Sequence, residues 1–191
     1  MQRFDVLIAT LLFVLFQAVL VYAVELNPSP QQITKVIEDG KKAANQRPVP
    51  RLNFFGNMGA CDYGFLQTKL WSIWVGSQFA ERRFKQLSES EIQRILSLDN
   101  MLITYSMCAD SPKQKEGHIV LRQGQKIIQP SSIKSSFPEQ SMHWPKSPAY
   151  AIAVQAHFPY RDFDLLAPAT IIVVPPFGER IEYPIDLSNF P

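Results

Sequence analysis

The sequence has few of the residues on which most catalytic and metal sites depend. Its 191 residues include only two cysteines and three histidines. The histidines, His118, His143 and His157, lie far apart, and no HxH, HxxxH or HExxH motif occurs. The sequence also lacks a CxxC pair, a GxSxG turn and a glycine-rich phosphate loop. We therefore predict no metal, no cofactor and no catalytic residue, and we favour a protein that is not an enzyme.

Excess charge of either sign is also lacking. The formal net charge is +2, from 19 basic and 17 acidic residues, and no basic cluster stands out, which argues against a nucleic-acid partner. Glycine is scarce, with 8 residues against 15 prolines, which favours fixed turns and edge strands over flexible linkers. We predict one domain over residues 24–191, with a possible subdivision near residue 110.

The N-terminus has the pattern of an export signal. A short polar start containing Arg3 precedes an apolar run over residues 6–24, and Ala23 ends a small-residue exit. We predict that residues 1–23 are a signal peptide and that the mature chain is periplasmic or extracellular. The alternative is that residues 6–24 remain as an uncleaved anchor, because their length approaches a membrane span. Gln17 inside the run favours cleavage, and we expect no other membrane contact.

The two cysteines, Cys61 and Cys108, have a simple interpretation in an oxidising compartment. Two thiols in one exported domain often pair, so we predict a disulfide between them. The bridge would close a loop of about 48 residues and stabilise the fold by about 4 kcal/mol. Two buried free thiols are the main alternative.

The first half of the mature chain, residues 29–98, is predicted to be helical. Ser29, Pro30 and Gln32 are typical of a capped helix start, and this helix should end near Asn45. Residues 46–64 are expected to be irregular. Helical spacing predicts a second helix over 65–85, although its aromatic and β-branched middle, 71–75, could form a strand. A capping box at Ser88 predicts a third helix over 88–97.

The second half, residues 100–187, is predicted to be rich in strands. A loop is expected over 131–148, and the candidate strands are Met101 to Met107, His118 to Arg122, Lys126 to Gln129, Tyr150 to Phe158, Ala169 to Val174 and Glu179 to Pro184. Helices followed by strands predict an α+β fold. We expect the N-terminal helices to pack on a C-terminal antiparallel sheet or an immunoglobulin-like β-sandwich.

Two arrangements could carry hydrolytic chemistry. Asp162 and Asp164 would share one face of a strand and could share a proton, whereas the simpler interpretation is a solvated loop. A Cys–His pair assembled by the fold is the other arrangement, although no histidine lies near either cysteine in the sequence. These residues define the competing hypothesis of a secreted hydrolase.

The loop over 131–148 is a candidate binding surface. Phe137, His143 and Trp144 place aromatic side chains among prolines, and exposed aromatic loops are common recognition sites. The alternative is that Trp144 plugs one end of the sandwich.

Several short stretches resemble a set of uncharacterised exported bacterial proteins. These stretches are Gln32-Ile33 through Gly40-Lys41-Lys42, Phe65-Leu66-Gln67-Thr68 with Ala80-Glu81-Arg82-Arg83, Ile128-Gln129-Pro130, and Pro184-Ile185-Asp186-Leu187. The resemblance covers most of the mature chain and implies an N-terminal helix with a β-rich C-terminal half. It implies no activity and no site residue.

The sequence thus favours a non-catalytic exported domain that binds a protein or a cell-envelope component. A secreted hydrolase is the first alternative. The second is a structural envelope protein that forms oligomers through an exposed strand edge such as Glu179 to Pro184.

Overall fold

The computed structural model describes residues 26–45, 53–57, 62–111, 117–175 and 179–187. The predicted signal peptide, its cleavage site and Cys61 lie outside these residues. Within them, no helix is both long enough and apolar enough to cross a membrane.

The described residues form three α-helices and ten strands. The helices are α1 (Pro30–Lys42), α2 (Lys69–Arg82) and α3 (Glu89–Leu96). The strands are β1 (Phe54–Asn57), β2 (Asp62–Gln67), β3 (Asn100–Ala109), β4 (His118–Gln123), β5 (Lys126–Ile128), β6 (Ser132–Ser135), β7 (Glu139–Gln140), β8 (Tyr150–Pro159), β9 (Pro168–Val174) and β10 (Ile181–Asp186). A short 3-10 helix (Tyr160–Asp162) follows β8.

The strands form two antiparallel sheets. The larger sheet has the order β1-β2-β3-β8-β6, with β7 also pairing with β8, and the smaller has the order β10-β9-β4-β5. Within these sheets, β2-β3-β8-β6 reproduces the A-B-E-D order of an immunoglobulin-like sandwich, and β10-β9-β4-β5 reproduces its G-F-C sheet with an added C′ strand. The predicted α+β fold with antiparallel sheets is therefore confirmed. The strand order matches that of the immunoglobulin-like alternative, with α2 and α3 between β2 and β3.

The core lies between the inner faces of the two sheets. Side chains alternate along each strand, as the pleat of a sheet requires. The buried residues that meet between the sheets include Met101, Ile103, Tyr105 and Met107 of β3, Val154, Ala156 and Phe158 of β8, Ile119 and Leu121 of β4, and Ile171 and Val173 of β9. This alternation leaves every second residue of β3 and β8 on the outer face of the larger sheet.

Local sequence explains the helix starts. Ser29 and Gln32 form the predicted capping box of α1, and Ser88 and Glu91 form that of α3. The side-chain hydrogen bond with Ser88 lowers the pKa of Glu91 below its ordinary value. Thr68 begins α2, because its Oγ1 accepts a hydrogen bond from the Trp71 amide at 3.1 Å.

The helices gather where β2 ends, β3 begins and β8 ends. The Trp71 ring of α2 stacks on Phe65 of β2 with 5.6 Å between centroids. The Lys69 ammonium lies 5.7 Å from the centroid of the Tyr160 ring, directly after β8. Gln78 of α2 donates from Nε2 to the Ala43 carbonyl at 2.6 Å, which ties α1 to α2. The helices therefore occupy one end of the larger sheet.

Three sequence predictions about elements are wrong in part. The predicted helix over 65–85 is present but begins only at Lys69, because Tyr63 to Gln67 pair with β3 as part of strand β2. Its middle, 71–75, is helical as predicted. Residues 54–57 and 62–64 of the segment expected to be irregular form a β1–β2 hairpin. The segment 131–148 is not all loop, because β6 and β7 both pair along the edge of β8.

Candidate functional site

An open groove of about 580 Å³ crosses the outer face of the larger sheet. We call it the sheet groove. Its described lining residues are Phe54, Tyr63, Phe65, Thr104, Ser106, Ser136, Glu139, Gln140, Ser141, Met142, Ala151 and Ala153. They come from β1, β2, β3 and β8 and from the segment between β6 and β8.

Short side chains of β3 and β8 form the floor of the groove. Ser106 lies opposite Ala153 in the strand register, and both follow the outward alternation of their strands. Thr104 and Ala151 extend this floor in the two directions along the sheet. Side chains this short leave a depression between taller neighbours, so the groove is a consequence of residue size at outward positions.

Aromatic rings form one wall. Phe54 and Phe65 are paired across β1 and β2, with ring centroids 5.8 Å apart. Tyr63 stacks on Phe54 with 6.2 Å between centroids and 22° between ring planes. Because Trp71 of α2 packs behind Phe65, the position of this wall is supported by the helical layer.

The segment between β6 and β8 forms the opposite wall. Ser136 anchors it to β8, because its Oγ accepts a hydrogen bond from the Ala153 amide at 3.0 Å. The β7 pairing places Glu139 opposite Ala151, which belongs to the floor of the groove. The Ser141 hydroxyl accepts from the His143 amide at 3.0 Å and donates to the Pro148 carbonyl, so it fixes the following turn.

Polar side chains also line the groove, among them Ser106, Glu139 and Gln140. Thr104 is 8% exposed, and its Oγ1 has no hydrogen-bond partner among the described residues. A buried hydroxyl without a partner is costly and calls for an explanation. Glu139 and Gln140 are exposed on the opposite wall. The groove therefore combines apolar surface with hydroxyl, carboxylate and amide groups.

The predicted binding loop lies beside this groove, but its three named residues do not line it. Phe137 is 92% exposed and Trp144 is 46% exposed. Trp144 packs edge-on against Tyr150 at 5.6 Å between centroids, and Tyr150 in turn packs against the core. His143 is half-buried in the same turn. The predicted loop thus lies next to the groove, and neighbours of its named residues form one wall. Its role in binding stays a prediction.

The two candidate aspartates lie in an exposed corner after β8. Asp162 lies 3.9 Å from the Arg161 guanidinium, and the Asp164 carboxylate accepts a hydrogen bond from the Leu166 amide at 2.9 Å. Both have local partners of the kind that a solvated turn supplies. Neither lines the sheet groove.

The strand pairing separates His157 from Cys108, and His118 belongs to the other sheet. Cys108 lies opposite Ala151 of β8, whereas His157 is six residues further along that strand, about 20 Å away. His118 lies on the other sheet, 3.1 Å from the Gln129 amide oxygen. Cys108 is not a free thiol, and Cys61 lies outside the described residues, so the bond between them stays a prediction.

Metal-ligating side chains are not clustered in the part of the chain that the structure describes, where no group of three or more His, Cys, Asp or Glu residues could hold an ion. The strand edge suggested for oligomers corresponds to β10, at the border of the smaller sheet. Pro184 removes one backbone donor from that edge, which weakens it as a template for another strand.

The sequence analysis missed the groove because the groove depends on register. The outward positions Ala151 and Ala153 follow from alternation in one strand. Only pairing brings them beside Ser106 and Tyr63, which are 45 and more residues away in sequence. Short outward residues on long strands were the one available signal.

Comparison with known proteins found no similar protein or family. No protein-family model matches the sequence, and no curated protein is detectably similar to it. The resemblance to exported bacterial proteins therefore stays a prediction.

Proposed function

We propose that this protein is an exported, non-catalytic binding domain that holds an extended glycan chain of the cell envelope in the sheet groove. The observation that carries the proposal is the geometry of that groove, in which an aromatic wall faces a polar wall across a floor of short side chains. The apolar C–H face of a sugar ring packs well on an aromatic ring, while its hydroxyls need donors and acceptors at the rim.

The groove supplies these two kinds of contact in the right places. Tyr63 and Phe54 present half-buried rings on one side. Glu139 and Gln140 lie on the other side, where they can bond sugar hydroxyls.

A glycan fits the groove better than an extended peptide does. Peptides often bind sandwich domains by adding a strand to a free edge. The floor strands β3 and β8 are each paired on both sides, so their backbone groups are already used. Recognition here must come from side chains, which favours ring stacking over strand addition.

Binding without hydrolysis is supported by the carboxylates of the groove. Most glycoside hydrolases need two carboxyl groups on either side of the scissile bond. Glu139 is the one carboxylate among the described residues that line the groove. A bound chain would therefore be held and not cleaved.

We also propose export with cleavage after Ala23 and a disulfide between Cys61 and Cys108. The apolar run and its small-residue exit support export. The Cys108 amide donates a hydrogen bond to Asp62, the residue directly after Cys61 in the sequence, at 3.4 Å. Adjacent strands approach closely enough for a disulfide to join facing cysteines.

Co-sedimentation with insoluble polysaccharides tests the binding proposal. The full chain is mixed with peptidoglycan, chitin and cellulose, and the bound fraction is measured. We expect saturable binding to at least one of them, about tenfold weaker in Tyr63→Ala, because an anchoring ring contributes this much to affinity. Ala153→Trp should also weaken binding, since the indole would fill the floor.

The matched controls are Phe137→Ala and Trp144→Ala, which remove exposed rings beside the groove. We expect both controls to bind like the wild type. Loss of binding in these controls with full binding by Tyr63→Ala would move the site to the loop and contradict the groove assignment. Failure to bind any of the three polysaccharides would argue against a structural glycan as the ligand.

A further inference from the structure

The turn between α2 and α3 exposes an aromatic ring that the fold does not use. Phe84 is 99% exposed, and its φ is 55°, the left-handed region that bulky residues rarely adopt. Its neighbours Arg83 and Lys85 are also exposed. We call these three residues the Phe84 tip.

The backbone conformation at the tip is a helix-ending motif that normally uses glycine. The Lys85 amide donates to the Ala80 carbonyl and the Phe84 amide donates to the Glu81 carbonyl, each at 2.9 Å. Glycine or asparagine fits this left-handed position best. A phenylalanine here is unfavourable for the backbone and gains no burial in return. Strained, exposed residues of this kind are found where a protein contacts something else.

Positive charge surrounds the exposed ring. Arg83, Lys85 and Arg94 line the adjoining groove between α2 and α3, in which Glu91 is the one described carboxylate. Glu91 is already engaged, because its carboxylate accepts hydrogen bonds from the Ser88 amide and hydroxyl at 2.9 and 2.6 Å. Glu81 and Glu89 are the other nearby acidic residues, both exposed. Glu91 nevertheless also attracts Lys85 and Arg94. Basic and acidic side chains therefore lie close together around this turn, and Arg83 and Lys85 are the two that flank the ring directly.

Further apolar surface lies beside the tip. Phe79 is 43% exposed and Leu98 is 46% exposed, and both border the same groove. The Arg82 guanidinium lies 5.7 Å from the Phe79 ring centroid and donates to the Ala44 carbonyl, so it belongs to the fold rather than to the tip. The surface therefore combines the fully exposed Phe84 ring, two partly exposed apolar side chains and the basic side chains on either side of the ring.

We propose that the Phe84 tip docks on an anionic lipid bilayer, with the phenyl ring inserted at the boundary between headgroups and acyl chains. Aromatic and basic side chains on one surface are the combination that binds at the membrane interface. Arg83 and Lys85 would contact lipid phosphates, and each cation near such a surface strengthens binding about fivefold. This membrane contact is separate from the N-terminal apolar run and was not expected from the sequence. It shares no residue with the sheet groove and does not depend on the glycan proposal.

Trp fluorescence with brominated lipids tests the contact at the tip itself. The full chain carrying Phe84→Trp is mixed with vesicles of brominated phosphatidylglycerol and phosphatidylethanolamine. We expect quenching of the added indole, and an apparent affinity about fivefold lower for each of Arg83→Ala and Lys85→Ala. The matched control is Phe137→Trp, which places an indole at another exposed ring that has no basic neighbours in the sequence. The fluorescence of this indole should not be quenched.

Melting of the Phe84→Asn variant provides an independent check. Asparagine tolerates the left-handed conformation, so we expect Tm to rise by about 2 to 4 °C. A lower Tm would mean that the ring serves the fold and would overturn the proposal. So would unquenched fluorescence of the indole added by Phe84→Trp, or equal quenching in neutral brominated phosphatidylcholine. A protein partner captured through Phe84 in the absence of vesicle binding would also overturn it.

Discussion

At the residue scale, paired tyrosines join the two sheets. Tyr105 of β3 is 1% exposed, and its hydroxyl lies 2.7 Å from that of Tyr183 in β10. The Phe55 ring stacks 5.8 Å from Tyr105 and 5.0 Å from Tyr183. Burial, and next the hydrogen bond with Tyr183, raise the pKa of Tyr105. Burial also raises the pKa of Tyr160 to about 12.

Because these two pKa values are raised, the stability of the fold should decrease at alkaline pH. A buried tyrosine with a raised pKa stabilises the fold fully below the ordinary pKa of about 10, and this stability is lost as pH rises further. We expect Tyr105→Phe to be about 1 kcal/mol less stable at pH 7, because one hydrogen bond is lost. Above pH 10 the difference in free energy of unfolding between the wild type and Tyr105→Phe should narrow. The wild type loses stability there because its unfolded state ionises at Tyr105, and the variant has no such group.

Urea unfolding at several pH values between 7 and 12 measures this effect. Tyr150→Phe is the control, because that ring is only partly buried and packs against Trp144 near the start of β8. A gap between Tyr105→Phe and the wild type that stays constant or widens above pH 10 would contradict this account.

At the element scale, the packing of α1 on α2 depends on a glycine that helix propensity disfavours. A Cβ on Gly40 would lie 2.5 Å from the Trp74 carbonyl oxygen and 2.9 Å from the Ser77 Cβ. The sequence showed Gly40 only as a weak point in a helix. The structure explains it, because the two helices touch backbone to backbone there.

We expect Gly40→Ala to lower the free energy of unfolding by about 1 to 2 kcal/mol, the overpacking cost of up to about 3 kcal/mol less the roughly 1 kcal/mol gained in helix propensity. Gly76→Ala in α2 is the matched control. Its Cβ would lie 3.2 Å from the flexible end of Leu87, so its stability should stay the same or rise. Chemical denaturation of both variants measures the difference, and equal responses would show that the helix contact is not close.

Elements were predictable where a local signal defines them. Both capping boxes and the alternation in β8 depend on neighbouring residues, and the helices and strand they predict are present. The β1–β2 hairpin was missed because Gly56 and Gly64 resemble loop residues. In the hairpin the Phe55 ring covers Gly64, where a Cβ would lie 2.2 Å from the ring. Only tertiary pairing makes these glycines suitable for strands.

At the scale of the whole molecule, sequence order predicted the fold class but not the site. Helices before strands indicated α+β, and the alternating β-rich half suggested a sandwich. The sheet groove needs Tyr63, Ser106 and Ala153 in one row across three strands, a consequence of register that no local pattern contains. Hydrolase chemistry was proposed for Asp162 and Asp164, which the fold instead uses in a turn.

The covalent state of the exported protein can be read from its mass. We expect a chain that begins at Val24 and is lighter by two hydrogen atoms than the fully reduced form, because cleavage and the Cys61–Cys108 bond both follow export. Reduction should lower stability by up to about 4 kcal/mol. A chain retaining residues 1–23 would support the anchor alternative, and an unchanged mass after reduction would exclude the bond.

The central claim is that the outer face of the larger sheet binds the ligand. Backbone amide NMR shifts, followed while a soluble fragment of the sedimented polysaccharide is added, test it most directly. We expect the largest changes at Tyr63, Thr104, Ser106, Ala151 and Ala153, with little change in α1. Saturable changes confined to another surface, or none at concentrations well above those used in sedimentation, would contradict the claim.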